Sequence, residues 1–160
     1  MKQFQHGFII GKFMPLHNGH CLVIDTALDQ CEQITICLMS QPDEAISGEV
    51  RLGWLSELYG VSCTILHHTA TLPRDKSGHD HWEQWLASIT KVCSGAYDAV
   101  FSSELYGERL ATDLGADHVL IDLDRLRVPI SGTSIRDNPT QYFEYLPAVV
   151  KSYYENSYRN

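Results

Sequence analysis

The chain has 160 residues, 12 Lys plus Arg against 20 Asp plus Glu, 44% apolar and 20% charged residues, which suits one globular domain over 1–160 and leaves no room for a second large one. A net charge of −8 argues against non-specific nucleic-acid binding, which draws its free energy from Lys and Arg displacing counterions, and the short, interrupted apolar runs argue against a membrane span. One positive charge before a four-residue apolar run is too little for a secretory signal; with Cys21, Cys31, Cys37, Cys63 and Cys93 widely spaced in apolar surroundings, a cytoplasmic protein with buried free thiols is expected.

Phe8-Ile9-Ile10, closed by Gly11, predicts a strand, and apolar residues at 21, 24 and 28 predict a helix after it. Ile34 to Met39 predicts the next strand, stopped by Ser40-Gln41-Pro42-Asp43, with a helix through Val50, Trp54, Leu55 and Leu58. A third round has a strand over Val61 to Leu66, a polar loop from about His67 to Gly78, and a helix through Trp82, Trp85, Leu86 and Ile89. Ala99-Val100-Phe101 is a fourth strand, Leu105 to Leu114 a helix and His118 to Ile121 a fifth strand. The alternation implies a Rossmann-like α/β fold, an open parallel sheet with helices on both faces, which binds ligands at the carboxyl ends of its strands. Beyond Asn138 the tail reads as helical, with Asn138 as N-cap, Pro139 at the first helical position, and Pro147 ending that helix or starting another.

The most informative stretch is Gly11-Lys12-Phe13-Met14-Pro15-Leu16-His17-Asn18-Gly19-His20, between the first strand and the first helix. It is not a P-loop: the glycine spacing from Gly7 is one residue short, and Phe13 stands where a Mg²⁺-binding Ser or Thr belongs. His17 and His20 are three apart at a helix start, where free N–H groups and the positive dipole end attract anions. Gly19 lets a phosphate approach the backbone, and Lys12 adds a full charge. A second cluster, Ile130-Ser131-Gly132-Thr133-Ser134-Ile135-Arg136, offers another anion-binding turn: Ser131 as N-cap, Gly132 for close approach, the Thr133 and Ser134 hydroxyls, and Arg136 as a forked cation. Two such turns on one parallel sheet point to a shared polyphosphate ligand. No Cys-x-x-Cys pair or His-Glu-x-x-His helix supports a zinc site, and His67-His68 and His79-Asp80-His81 lack further ligands at zinc spacing.

Together, His17-Asn18-Gly19-His20 and Ser131 to Arg136 resemble the paired His-x-Gly-His and Ser-x-Thr-x-Ile-Arg signatures of the nucleotidylyltransferase superfamily. Gly11-Lys12-Phe13, Val100-Phe101-Ser102-Ser103-Glu104, Ile135-Arg136-Asp137-Asn138-Pro139 and Gln141-Tyr142-Phe143 are most similar to the nicotinamide mononucleotide adenylyltransferase domain of NadR proteins, over about residues 7 to 155. NadR chains typically continue into a kinase and some begin with a DNA-binding segment; 160 residues do not accommodate either. The resemblance implies transfer of AMP from ATP to nicotinamide mononucleotide, giving NAD and pyrophosphate. It implies His17 and His20 at the ATP phosphates, with His20 at the α-phosphate, and Lys12 and Arg136 on charged oxygens, with Gly11, Phe13, Gly19, Ser103, Ser131, Thr133 and Ser134 completing the ATP site. Mg²⁺ is expected with the nucleotide; no carboxylate cage is visible to hold it.

A flat, cationic pyridinium ring should stack on an aromatic face. Trp82 and Trp85 are the candidates, Trp82 favoured because Trp85 fits the core stripe with Leu86 and Ile89, while Trp54 reads as core. Arg51, at the opening of the second helix, is a candidate for the acceptor phosphate or the nearby loop. Nicotinate mononucleotide, phosphopantetheine and flavin mononucleotide remain alternative acceptors, and a non-catalytic nucleotide sensor remains an alternative of another class. Nucleic acid and membrane are not expected partners; a homo-oligomer is compatible with this composition.

Overall fold

The computed structural model describes residues 2–71 and 79–159. Five strands, β1 (Phe4–Gly11), β2 (Cys31–Ser40), β3 (Thr64–Thr69), β4 (Ala99–Ser102) and β5 (Asp117–Leu120), form one sheet in the order β3-β2-β1-β4-β5. Every pairing is parallel. The connecting helices are α1 (Asn18–Gln30), α2 (Gly48–Tyr59), α3 (His79–Val92) and α4 (Tyr106–Leu114), followed by α5 (Gly132–Asp137) and α6 (Ala148–Arg159). The Rossmann-like architecture read from the alternation is the one observed.

Side chains in β1 alternate between two cores, as a period of two requires. Phe8 and Ile10 join Trp82, Trp85, Ile89 and Leu110 from α3 and α4 on one face. Ile9 joins Val23, Ile24, Trp54, Leu55, Ile135 and Val150 from α1, α2, α5 and α6 on the other. Because both faces are covered, the central strands are near-continuous apolar runs. The chain moves outward from β1 to β2 and β3, then crosses back to place β4 on the opposite side of β1. The crevice beyond the carboxyl ends of β1 and β4 is therefore the topological switch point, the ligand position in open α/β sheets.

Two sequence expectations are corrected. The third strand begins at Thr64 rather than Val61, because α2 ends at Tyr59 with Gly60 as its C-cap, and the Tyr59 carbonyl accepts from the N–H groups of both Ser62 and Cys63, closing a turn that leaves Val61 fully exposed. His67 and His68 consequently lie in β3, not in a loop. The tail is not a helix from Asn138: that residue ends α5, its N–H donating to the Ser134 carbonyl, and its side-chain oxygen accepts from the Gln141 N–H at 3.2 Å. A 3₁₀ turn follows at Phe143–Tyr145, and Pro147 precedes α6, its carbonyl accepting from Val150 and Lys151. Among the five cysteines four are buried and Cys21 is half-buried, all unpaired. No helix among the described residues is long and apolar enough to cross a membrane.

Candidate active site

β1 delivers the chain into the loop Lys12–Leu16, and His17 caps α1 from an extended backbone. The His17 Nδ1 accepts from the Gly19 N–H at 3.0 Å, and the His20 Nδ1 accepts from the His17 N–H at 3.2 Å. This is a reciprocal capping box with imidazoles in the places usually held by Ser and Glu. A nitrogen that accepts cannot carry the proton, so the network assigns the neutral tautomer with its proton on Nε2 to both rings. The rings stack at 3.8 Å between centroids, and Phe13 braces His20 edge-on at 4.9 Å. Desolvation, then the charge of Arg125, lowers His17 to about 4. Desolvation, His17 and Arg125 push His20 well down. Both are therefore neutral at pH 7, each with its proton on Nε2. Gly19 is required here, since a Cβ on it would lie 2.8 Å from the His17 ring.

The second turn lies directly against this loop. Ser131 caps α5 by accepting from the Ser134 N–H at 3.2 Å, and its hydroxyl also meets that of Ser134 at 2.9 Å. Arg136 donates to the Met14 carbonyl, and to Thr133 Oγ1 at 3.3 Å. Gly132 permits the approach: a Cβ there would stand 3.0 Å from the Met14 oxygen. The two segments line one cavity of about 340 Å³, with Gly11, Lys12, Phe13, His17 and His20 on one side and Ser131, Gly132, Thr133 and Arg136 on the other. That volume is in the range of small-molecule sites. Gly19 and Ser134 act behind the lining, through the caps they complete.

Lys12 is held from below. Its ammonium lies 3.3 Å from Glu44 Oε2, while Glu44 Oε1 accepts from Arg51 at 2.9 Å and from the Gln41 N–H at 2.6 Å. Burial alone would raise the Glu44 carboxyl, but the Gln41 N–H, Arg51 and Lys12 outweigh it and hold it below the usual carboxylate range. Of the two partners expected for Arg51, the structure shows the nearby loop and not an acceptor-phosphate contact. Its side chain is 0% exposed and spends its donors on Glu44 and on the carbonyls of Lys12 (2.8 Å), Met39 and Ser47 (both 3.3 Å). It ties the Lys12 loop to the end of β2 and does not line the cavity. Arg51→Ala leaves Glu44 buried with one cation fewer, and is expected to cost about 3 kcal/mol or more in a urea unfolding curve; an unchanged midpoint would contradict this structural role.

The indoles are likewise reversed from expectation. Trp82 is 2% exposed, donates its N–H to Asp113 at 2.7 Å and lies under the Arg109 guanidinium, 4.4 Å from the ring centroid. It fastens α3 to α4. Trp85 lines the cavity instead, packed against Trp82 at 4.9 Å and edge-on to Tyr106 at 5.9 Å and 87°. Ser103 and Glu104 line the cavity at the end of β4, as does Ser102, whose hydroxyl donates to the Glu104 carbonyl at 2.9 Å and meets His118 Nε2 at 2.7 Å. Residues that sequence reasoning passed over also reach the wall: Met14, Ser40, Gln41, Tyr106 and Arg125. Tyr106 carries no sequence signal, but the strand-end position of Ser40-Gln41 did.

Two further histidines tie β3 to its neighbours: His67 Nε2 meets Ser40 Oγ at 2.7 Å, and His68 meets Ser88. The side chains of His79 and Asp80 fall outside the described residues. Among the described residues no group of three or more His, Cys, Asp or Glu is arranged to hold a metal ion.

The Rossmann-like sheet is that of NadR structures, and in sequence the chain is related to NadR proteins. It is 29% identical over 164 aligned residues to the trifunctional NAD biosynthesis/regulator protein NadR of Escherichia coli K12, an alignment covering 92% of this chain and 40% of that protein. Identity to the Salmonella typhimurium protein of the same name is also 29%, over 96% of this chain and 41% of the relative. The chain thus spans about two fifths of the curated relatives it matches. No family model matches it. Among solved structures, a NadR protein in complex with NR superposes with a TM-score of 0.70 at 18% identity, over 93% of this chain and 44% of that one. A bifunctional NMN adenylyltransferase/ADP ribose pyrophosphatase from Francisella tularensis, complexed with AMP and a Mn ion, gives 0.54 at 19% identity, over 74% and 37%. At those identities the superpositions establish the fold.

Proposed function

We propose that this chain transfers the adenylyl group of ATP to nicotinamide mononucleotide, forming NAD and pyrophosphate. The observation that carries this proposal is the meeting of the His17–His20 helix start and the Ser131–Arg136 turn on one cavity at the switch point of the sheet. The sequence relation to NadR supports it. An acceptor phosphate, with its second pKa near 6, is already a nucleophile at neutral pH, so the site needs no general base. One of its oxygens forms a bond to the α-phosphorus while the bond to the bridging oxygen breaks, and pyrophosphate leaves with that electron pair.

The chain's contribution is positioning two anions and stabilising the charge that moves. The Nε2–H groups of His17 and His20 donate to the α-phosphoryl oxygens, His20 acting on the transferring group. Lys12 and Arg136 take oxygens of the departing phosphates, with the Ser131, Thr133 and Ser134 turn seating them. Gly11, Phe13, Gly19 and Ser103 shape the ATP side. A divalent cation such as Mg²⁺ would arrive with the nucleotide and be held by phosphate oxygens and water, since the described residues offer no carboxylate cage.

The acceptor ring is assigned to Trp85 and Tyr106, the aromatic side chains besides Phe13 and Phe101 that line the cavity. Trp85→Ala is expected to raise the acceptor KM by about tenfold, the order of one desolvated ring contact, and to leave the ATP KM within about threefold. Trp82→Ala should show its loss in thermal melting instead. Steady-state kinetics on both variants decide it, and equal effects on the two substrates would remove Trp85 from the ring site. The reaction itself is tested with purified protein, ATP, Mg²⁺ and separate samples of nicotinamide mononucleotide, nicotinate mononucleotide, phosphopantetheine and flavin mononucleotide, following pyrophosphate and dinucleotide. Equimolar NAD and pyrophosphate with the first is the expected result; pyrophosphate release with another acceptor alone would redirect the proposal.

A further inference from the structure

The segment between β5 and α5 is built at a cost. Asp122 and Arg125 both adopt positive φ, +53° and +55°, a region that non-glycine residues seldom enter because it is sterically costly. The turn is clasped by one carboxylate: Asp122 accepts from the N–H groups of Arg127 and Val128, both at 2.9 Å, and its carbonyl accepts from the Arg125 N–H at 2.9 Å. Those backbone bonds, first to Arg127 and then to Val128, hold the Asp122 carboxyl below its ordinary value, so the clasp is fully formed at neutral pH. Leu126, at the tip, points outward at 83% exposure. Arg125 turns the other way and lines the cavity.

The Arg125 guanidinium is fixed by donating to the Ile130 carbonyl at 2.6 Å, immediately before the Ser131 cap. It makes no ion pair with a carboxylate among the described residues. Val128, on the same loop, lies 3.8 Å from the point a Cβ on Gly19 would occupy, so the loop rests on the start of α1 beside the two imidazoles. Its charge reaches both rings, contributing to the lowering of each. A carboxylate-clasped loop with two positive-φ residues thus presents one cation to the cavity that the two neutral imidazoles also line.

We infer that Arg125 is a further catalytic residue, whose guanidinium touches the same phosphoryl group as His17 and His20 during transfer. This inference rests on the proposed adenylyl transfer and adds to it the cation that the neutral histidines themselves do not supply. Arg125 moves no proton; it meets negative charge on the α-phosphoryl oxygens as the bond to the acceptor oxygen forms and the bond to pyrophosphate breaks. Its fork suits two phosphoryl oxygens at once, which Lys reproduces only as a point charge.

The test uses the full chain with Arg125→Ala, Arg125→Lys and, as a control at the neighbouring exposed position, Leu126→Ala. In Arg125→Ala kcat should fall by about 100-fold, whereas the affinity for ATP measured by calorimetry falls by only about fivefold and the melting temperature drops by no more than a few degrees, the cost of the lost bond to the Ile130 carbonyl. Arg125→Lys should recover part of kcat, and Leu126→Ala should match wild type. A kcat within about threefold of wild type in Arg125→Ala, or a loss matched by loss of melting temperature with no recovery by Lys, overturns the inference while leaving adenylyl transfer standing. Should the wild-type protein transfer AMP to none of the mononucleotides, the functional proposal fails by itself, and the calorimetric comparison with ATP decides Arg125: unchanged affinity rejects the contact, and the fivefold loss upholds it as a phosphate contact.

Discussion

His20→Ala is expected to lower kcat for adenylyl transfer by about 10²- to 10³-fold, the usual consequence of deleting a preorganised donor aimed at developing charge. The structural cost is small by comparison. His20 Nδ1 accepts one hydrogen bond, from the His17 N–H at the helix start, and loss of a cap contact is worth about 1 kcal/mol. Melting should therefore shift by a few degrees while turnover nearly disappears. His20→Asn, which keeps a side-chain amide near the ring's position, should recover part of the loss. Single-turnover kinetics give the cleanest comparison, because they separate the chemical step from product release. Intact turnover in His20→Ala would remove the histidine pair from the reaction.

Arg136→Ala carries a second large effect, of a different kind. This side chain does two jobs: it faces the cavity, and it ties α5 to the first loop through the Met14 carbonyl. Removing it takes away a cation for the departing phosphates and also frees the two anion-binding turns from each other. The expected outcome is a drop of about 10³-fold in kcat/KM for ATP, shared between KM and kcat, with the acceptor KM within about threefold. Arg136→Lys should restore part of the affinity through its charge and little of kcat, because an ammonium does not reproduce the fork that reaches both a carbonyl and a phosphate. A variant whose ATP kinetics match wild type would show that the Ser131–Arg136 turn does not hold the nucleotide.

The sequence is informative about this molecule where the cause of structure is local. Alternation of short apolar runs with helical spacing gives the parallel sheet, and each phosphate-binding segment is contiguous, so the turns at His17–His20 and Ser131–Arg136 are visible before any folding is considered. What periodicity misses is decided by partners distant in sequence. Trp82 and Trp85 share one face of α3, and spacing cannot order them by depth; Asp113 and Arg109, delivered by α4, capture Trp82 and leave Trp85 at the cavity. A charge at the opening of a helix is normally solvated, but Arg51 is buried because the carbonyls of Lys12 and Met39 and the carboxylate of Glu44 converge on it from two other segments. Arg125 has the same history. In the sequence it is one of two arginines in a polar loop, and only the left-handed turn closed by Asp122 sets it against the histidines.

Transfer at this site requires that both turns hold a single phosphate chain. The direct measurement is a structure of the protein with a non-hydrolysable ATP analogue. The α-phosphate should lie within hydrogen-bond distance of His17 and His20 Nε2, with the β- and γ-phosphates against Thr133, Ser131 and Arg136. An analogue bound with its phosphates away from either turn, or outside the cavity between β1 and β4, would contradict the account at its centre.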